Sequence, residues 1–227
     1  RRVCHTVPPN RNETSMKSNS VRAILILAFF GVLCGCEVTS EKIELWKGTV
    51  NGPQKLIGAI RDESLEATLR GKALIALVEI NAWDQFREAM DGLGPKQAAI
   101  VANAVAPRLA EKINPSLVGP MEKSRVDAKD GLFILLDYAD AEAKSLIEDT
   151  LTAWCVGDFN HRALAGNYHI ATIAKKIGAK TGIGLLSLIS MDQVVLKPVV
   201  EVIKQIGDET VVLKASEKLA AEFLRKP

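Results

Sequence analysis

The side chains most capable of chemistry crowd into one stretch. Trp154-Cys-Val-Gly-Asp-Phe-Asn-His161, with His169 beyond, brings together a thiol, a carboxylate and two imidazoles. A thiol becomes a nucleophile when a base within hydrogen-bond reach takes its proton, and His161 or His169 could meet Cys155 across a turn. Cys155, Asp158, His161 and His169 are also residues of the types that bind zinc. Neither spacing matches a recognised motif. A plainer reading is that Trp154, Cys155 and Val156 finish an apolar helix, Gly157-Asp158 turns the chain with Asp158 capping the next helix, and the thiol packs as a small hydrophobe. On that reading no catalytic residue and no metal ligand is assigned.

The remaining candidates reduce in the same way. Gly178-Ala-Lys-Thr-Gly-Ile-Gly184 has the glycines and lysine of a phosphate loop in the wrong order, with no preceding strand. It reads as a helix connection in which Gly178 stops one helix and Lys180-Thr181 opens another. The acidic pairs Asp62-Glu63 and Asp208-Glu209 read as solvated turns, and Trp46 and Trp83 as anchors between helices.

The third chemistry-bearing site is a cysteine near the start. Met16-Lys-Ser-Asn-Ser-Val-Arg22 is a short basic stretch, and Ala23 to Leu33 is an apolar run. A spanning helix needs about 20 apolar residues, so the run fits the core of a secretory signal better than a stable anchor. It ends in Leu33-Cys34-Gly35-Cys36, which resembles the lipobox of bacterial lipoproteins. The resemblance implies a signal peptide over 16–35, cleavage behind Gly35, and diacylglycerol and fatty acyl lipid on Cys36 as the mature N-terminus. It implies no other cofactor. Cys34 stands where Ala or Ser is commoner. Residues 1–15 lie upstream of Met16 and read as an extension outside the native start, and residues 36–42 as a lipidated tether. The implied location is the cell envelope, lipid-anchored at the outer membrane or periplasmic face.

Composition narrows what the rest can do. Hydrophobic residues make up 48%, charged residues 25% and aromatics 5%, the balance of a globular chain packed through small and branched side chains. Residues 1–35 hold five basic residues against Glu13, a net +4, so of the chain's +2 the remainder carries −2. That disfavours nucleic acid as a partner. With Cys4 and Cys34 ahead of the cleavage point and Cys36 acylated, Cys155 is the one thiol left, and no internal disulfide is expected.

From 43 to 227 the periodicity is helical throughout. Helices are expected over 41–47, from Pro53 through Ile60, across Leu65 to Ile80 as a strongly amphipathic element, and from Pro95 through Ile113, where Asn114-Pro-Ser ends the run. Others are expected over 126–138, 141–154, 163–177, 183–190, 194–206 and 210–224. No βαβ alternation is present, so the fold class is all-α.

Two internal matches sharpen this. Ile57-Gly-Ala-Ile-Arg-Asp-Glu-Ser64 parallels Ile203-Lys-Gln-Ile-Gly-Asp-Glu-Thr210, each with an acidic turn and a hydroxyl placed to cap the next helix. Lys72-Ala-Leu-Ile-Ala-Leu-Val-Glu-Ile80 parallels Asp130-Gly-Leu-Phe-Ile-Leu-Leu-Asp-Tyr138. Paired helices joined by short Asp-containing turns resemble HEAT-type repeats of roughly 40 to 47 residues; the offset from Lys72 to Asp130 departs from that period, and the offset from Ile57 to Ile203 fits about three irregular steps. The expectation is an irregular HEAT-like α-solenoid of paired antiparallel helices, preceded by a signal helix, with a compact bundle as the alternative. The resemblance implies a non-catalytic, membrane-anchored scaffold or adaptor with a protein partner in the envelope and no small-molecule substrate. Two alternatives stand beside it: an envelope enzyme using Cys155 with His161 or His169, and a structural subunit of an outer-membrane complex.

Overall fold

Thr39 stops the chain from fraying at its first helix: its side chain accepts the Lys42 N–H at 3.3 Å, and α1 follows as Ser40–Trp46. The computed structural model describes residues 37–113, 123–159, 166–190 and 196–225. The chain divides into two units between Val38 and Thr39. Of the first unit, Glu37 and Val38 are described, both outside regular structure, and the account below concerns the second.

Every regular element among the described residues is helical. After α1 come α2 (Gly52–Arg61), α3 (Ala67–Glu79), α4 (Trp83–Asp91), α5 (Pro95–Ile113), α6 (Lys123–Leu135), α7 (Ala141–Gly157), α8 (Ile170–Ile177) and α9 (Ala179–Leu185). A single 3-10 turn, Leu186–Leu188, leads on, and α10 (Leu196–Ile206) and α11 (Glu209–Leu224) complete the series. The fold is all-α. No described helix is long and apolar enough to cross a membrane. The first helix begins at Ser40, inside the stretch expected to be tether.

Local chemistry sets most boundaries. Pro53 sits in the first turn of α2, where a missing N–H costs nothing, and Leu56, Ile57 and Ile60 are buried. Asp140 accepts the N–H groups of Glu142 and Ala143, both at 3.1 Å, and so caps α7. Gly178, at φ +80, ends α8 and at once opens α9, which no side-chain-bearing residue does comfortably. The match between 57–64 and 203–210 hides two different turns. Asp208 itself caps α11 by accepting from Val211 N–H at 3.0 Å, whereas Asp62 accepts from the Ser64 hydroxyl and N–H, and α3 starts later, at Ala67. In both, the carboxylate rather than the expected hydroxyl accepts, as the better acceptor in reach.

The helices stack so that α3, α5, α7, α9 and α11 each pack on the next in that series. Between them, α2 packs on α3 and α4, α6 on α5 and α7, and α10 on α8, α9 and α11. Position in this stack explains α3 and α6. Both are sheathed on nearly every side: α3 buries Arg70, Gly71, Ala73, Leu74, Ala76, Leu77 and Val78, and α6 is buried continuously from Val126 through Leu135. The single wet face expected of α3 is therefore reduced to Thr68, Lys72 and Glu79. Arg70, 2% exposed, answers an orphan helix-end carbonyl, donating to Ile60 O at 2.7 Å and to Gln97 Oε1 at 2.7 Å. A second core, at the far end, gathers Phe159, Ala174, Leu185, Ile189, Val199, Ile203 and Val211.

Two expected helices are corrected. The one beginning at Ala163 begins at Ile170, because Gly166, at φ +64, and the residues after it form a turn. The one over 183–190 is split, with α9 starting at Ala179 and the 3-10 turn ending at Leu188. Asn114-Pro-Ser and the first residues of the helices expected from Ala163 and Val194 lie outside the described residues.

Candidate functional site

The densest polar cluster in the described interior centres on α6, at residues whose charge alone would give them to solvent. Lys129 and Asp130 are 0% and 1% exposed. The Lys129 ammonium is ion-paired with Asp130, donates to Tyr168 O at 2.6 Å, and lies 4.9 Å from the centre of the Trp154 ring. Asp130 turns its other interactions to the chain beyond α7: Oδ2 accepts Asn167 N–H at 2.8 Å and Oδ1 accepts Tyr168 N–H at 3.3 Å. These two N–H groups are thereby committed to a side chain, which is why helix cannot extend back through them. Gly166 lets the turn approach, since a Cβ there would stand 2.5 Å from both Asp130 Oδ2 and Val126 Cγ1.

Surrounding contacts fix the cluster. The Tyr168 ring packs on Phe133 with centroids 4.2 Å apart, its hydroxyl is hydrogen-bonded by Arg87, and Lys176 lies 4.8 Å over the Phe133 ring. Burial pushes the Lys129 ammonium below its ordinary range, against the pull of Asp130 in the opposite direction. A low-dielectric setting of this kind makes an ion pair expensive to break. With neither partner open to solvent, the arrangement ties the 166–169 turn to α6.

The residues singled out in the sequence separate around this centre. Cys155 is fully buried on α7, close enough to Lys129 for their charges to interact. Burial pushes its thiol from 9.0 up to about 12, with the Lys129 ammonium pulling the other way. The residues that Asp158 was expected to cap, from 160 to 165, lie outside the described residues. Asp158 itself ends α7 and accepts from Arg125 Nη2 at 3.0 Å. His169 is exposed at the start of α8, making no side-chain cap. His161 lies outside the described residues, as do Leu33, Cys34, Gly35 and Cys36. Trp46 and Trp83 are half-buried rather than core, and Trp154 is the deeply buried indole, its Nε1 without a hydrogen-bond partner. Among the described residues no group of three His, Cys, Asp or Glu is placed to hold a metal ion.

The Cys155 geometry predicts its reactivity. Alkylation at pH 8, followed by peptide mapping, labels Cys155 only at the rate at which the unit opens, and denaturant releases it. Stability has a matching alkaline limb. Above 9.0 an unfolded chain loses the thiol proton while the folded chain keeps it to about 12, so the unfolded state binds fewer protons and stability falls through that window. Tyr138, its phenol pushed up by burial and by its hydrogen bond to Asp91, works in the same direction.

Sequence reasoning missed Lys129 and Asp130, although a signal was present. Asp130 lies four residues after Val126 and four before Ile134, in one row of the helix surface, and both neighbours are buried. A charge inside an apolar row either breaks the helix's packing or has a buried partner.

On the surface, two cavities meet at Glu79. One, of about 240 Å³, is lined by Val78 and Glu79 of α3, Leu109 and Lys112 of α5, and Lys123 and Asp127 of α6. The other, of about 190 Å³, lies between Ser40, Ile43 and Glu44 of α1, Lys72 and Ile75 of α3, and Arg108 of α5. Glu79 bridges Lys47 at 2.9 Å and Lys112 at 2.8 Å. Partial burial raises its carboxyl, but the two lysine hydrogen bonds outweigh this and leave it below the ordinary carboxylate range.

Comparison with protein-family models, with curated proteins and with solved structures finds no match.

Proposed function

We propose that the chain is a lipid-anchored, non-catalytic interaction scaffold or adaptor of the bacterial cell envelope, built as an irregular HEAT-like solenoid. The observation that carries this reading is the series α3, α5, α7, α9 and α11, each packed on the next while the intervening helices pair with their neighbours. Stacked helix pairs produce such a pattern because each pair buries its apolar face only against those flanking it. The parallel between 72–80 and 130–138 supports it further, since these segments fall on α3 and at the end of α6, which pack together. The adjoining cavities at Glu79 are lined by α3 and α5, the first two helices of the series, and a repeat array receives an extended partner along such a face.

The anchor rests on the likeness of Leu33-Cys34-Gly35-Cys36 to a lipobox. One acyl chain holds a protein to a bilayer only marginally, whereas the two or three of a lipoprotein hold it stably. An envelope protein partner then meets a surface already concentrated at the membrane. The test is incorporation of a tagged palmitate in bacterial cells. Wild type takes up the label and Cys36→Ala does not; equal labelling of the two, or none in either, contradicts the anchor.

A further inference from the structure

We infer that the corner between α1 and α2 is a membrane-contact tip, in which Leu45, Trp46 and Val50 enter the headgroup–acyl boundary of an anionic bilayer. The inference rests on the lipid-anchored reading and specifies which face of the helical unit meets the membrane. Leu45 is 70% exposed and Val50 is 99% exposed, within six residues of each other. They are not on a loose loop. Thr49 N–H and the Thr49 hydroxyl both donate to Trp46 O at 3.1 Å, and Gly52 N–H donates to Thr49 O at 2.9 Å. Gly52 is required there, because a Cβ would overlap the Trp46 carbonyl.

Trp46 is half-buried beside these residues, with Lys55 Nζ 5.9 Å from the centre of its ring. An indole with a cation above it and aliphatic side chains beside it suits the boundary, where one end of the group is apolar and the other wet. Residues 40–55 carry Lys42, Lys47 and Lys55 against Glu41 and Glu44, and Lys47 is held by Glu44 and Glu79, so the cation that the tip offers to an anionic headgroup is the exposed Lys55 beside Trp46. Chain length names the occupant. Three residues lie between Cys36 and Ser40, so four steps along the chain reach at most about 14 Å. A lipid on Cys36 therefore keeps α1 at the bilayer surface, and the exposed apolar residues of its far end are the nearest such group to the anchor. Burying them adds a second attachment and fixes the orientation in which the rest of the array is displayed.

The experiment uses the mature chain, residues 36–227, with Cys36→Ser, so that neither lipid nor the apolar run 23–33 is present, and vesicles of phosphatidylethanolamine with phosphatidylglycerol whose acyl chains carry bromine. The tip predicts bromine quenching of tryptophan emission that disappears in Trp46→Phe. L45Q/V50Q lowers the insertion constant about tenfold with unchanged circular dichroism, and Leu213→Gln, exposed on α11, leaves it as it was. Unquenched Trp46, or equal insertion by L45Q/V50Q and the parent, overturns the proposal. So does an equal loss in Leu213→Gln. Palmitate labelling of the unsubstituted chain reports on the anchor independently: a quenched tip without label removes the anchor and leaves the tip.

Discussion

Asp130→Asn lowers the unfolding free energy of the helical unit by about 3–5 kcal/mol, the cost of stranding a buried charge. The carboxylate does two things at once, neutralising the Lys129 ammonium and accepting the N–H groups of Asn167 and Tyr168. An amide has only one oxygen, so its NH2 faces either a cation or a backbone donor. Lys129, 0% exposed, cannot recover by reaching water. Lys129→Met is expected to cost a similar amount by stranding the carboxylate. The double variant K129M/D130N costs less than the two single losses added together, because neither charge is then left alone. Urea denaturation followed by circular dichroism measures all four states. A loss under about 1 kcal/mol in Asp130→Asn, the size of an exposed pair, would show that the cluster does not hold the turn to α6.

Gly166→Ala is the second large effect, at about 2–5 kcal/mol. A side chain in the left-handed region costs about 1–2 kcal/mol, and overpacking against a fixed core adds about 1–3 kcal/mol. Here the added methyl would stand 2.5 Å from both Asp130 Oδ2 and Val126 Cγ1, on a residue at φ +64. The turn must withdraw, and the Asn167 and Tyr168 N–H groups lose their acceptor as it does. Gly207→Ala provides the comparison: it shares the positive φ, at +74, but a Cβ there meets nothing within 4 Å. It should cost only the backbone term. Equal losses for the two glycines in thermal unfolding would remove the close approach to Asp130 from the explanation.

These two positions show where the sequence was legible and where it was not. The 19-residue run from Pro95 to Ile113 announces itself, since Pro95 opens it and Val101, Val105, Leu109 and Ile113 recur at helical spacing on a buried face. The all-helical class follows from such runs. A helix surrounded on all sides, such as α6, has no polar stripe to orient it, and there the charges of Lys129 and Asp130 suggest solvent although Asp130 stands in the row of Val126 and Ile134. The partner that makes them tolerable is a turn some 37 residues away, and no local pattern contains it. The same long-range bond explains why the helix expected from Ala163 starts at Ile170: Gly166 and the committed N–H groups outweigh local propensity.

For the candidate chemistry, residue type was a poor guide and burial a good one. Cys155 looked like the centre of a nucleophilic or zinc-binding group because His161, His169 and Asp158 are near it in sequence. Folding sends Asp158 to Arg125, leaves His169 exposed, and seals the thiol beside the Lys129 cluster. The exposed Leu45 and Val50 carry the opposite lesson. Leu45 stands on α1 two residues after the buried Ile43, and so on the opposite side of the helix, while Val50 falls in the turn held to Trp46 O, outside the helices expected over 41–47 and from Pro53.

The most direct measurement is the intact mass of the N-terminal peptide from membrane-extracted protein, wild type beside Cys36→Ala. The account predicts that the wild-type peptide begins at Cys36 and carries the mass of diacylglycerol, with or without a further acyl chain, and that the variant retains residues 16–35 uncut. A wild-type peptide that still contains Leu33-Cys34-Gly35, or one that begins at residue 36 without lipid, would contradict it and remove the membrane from the proposed function.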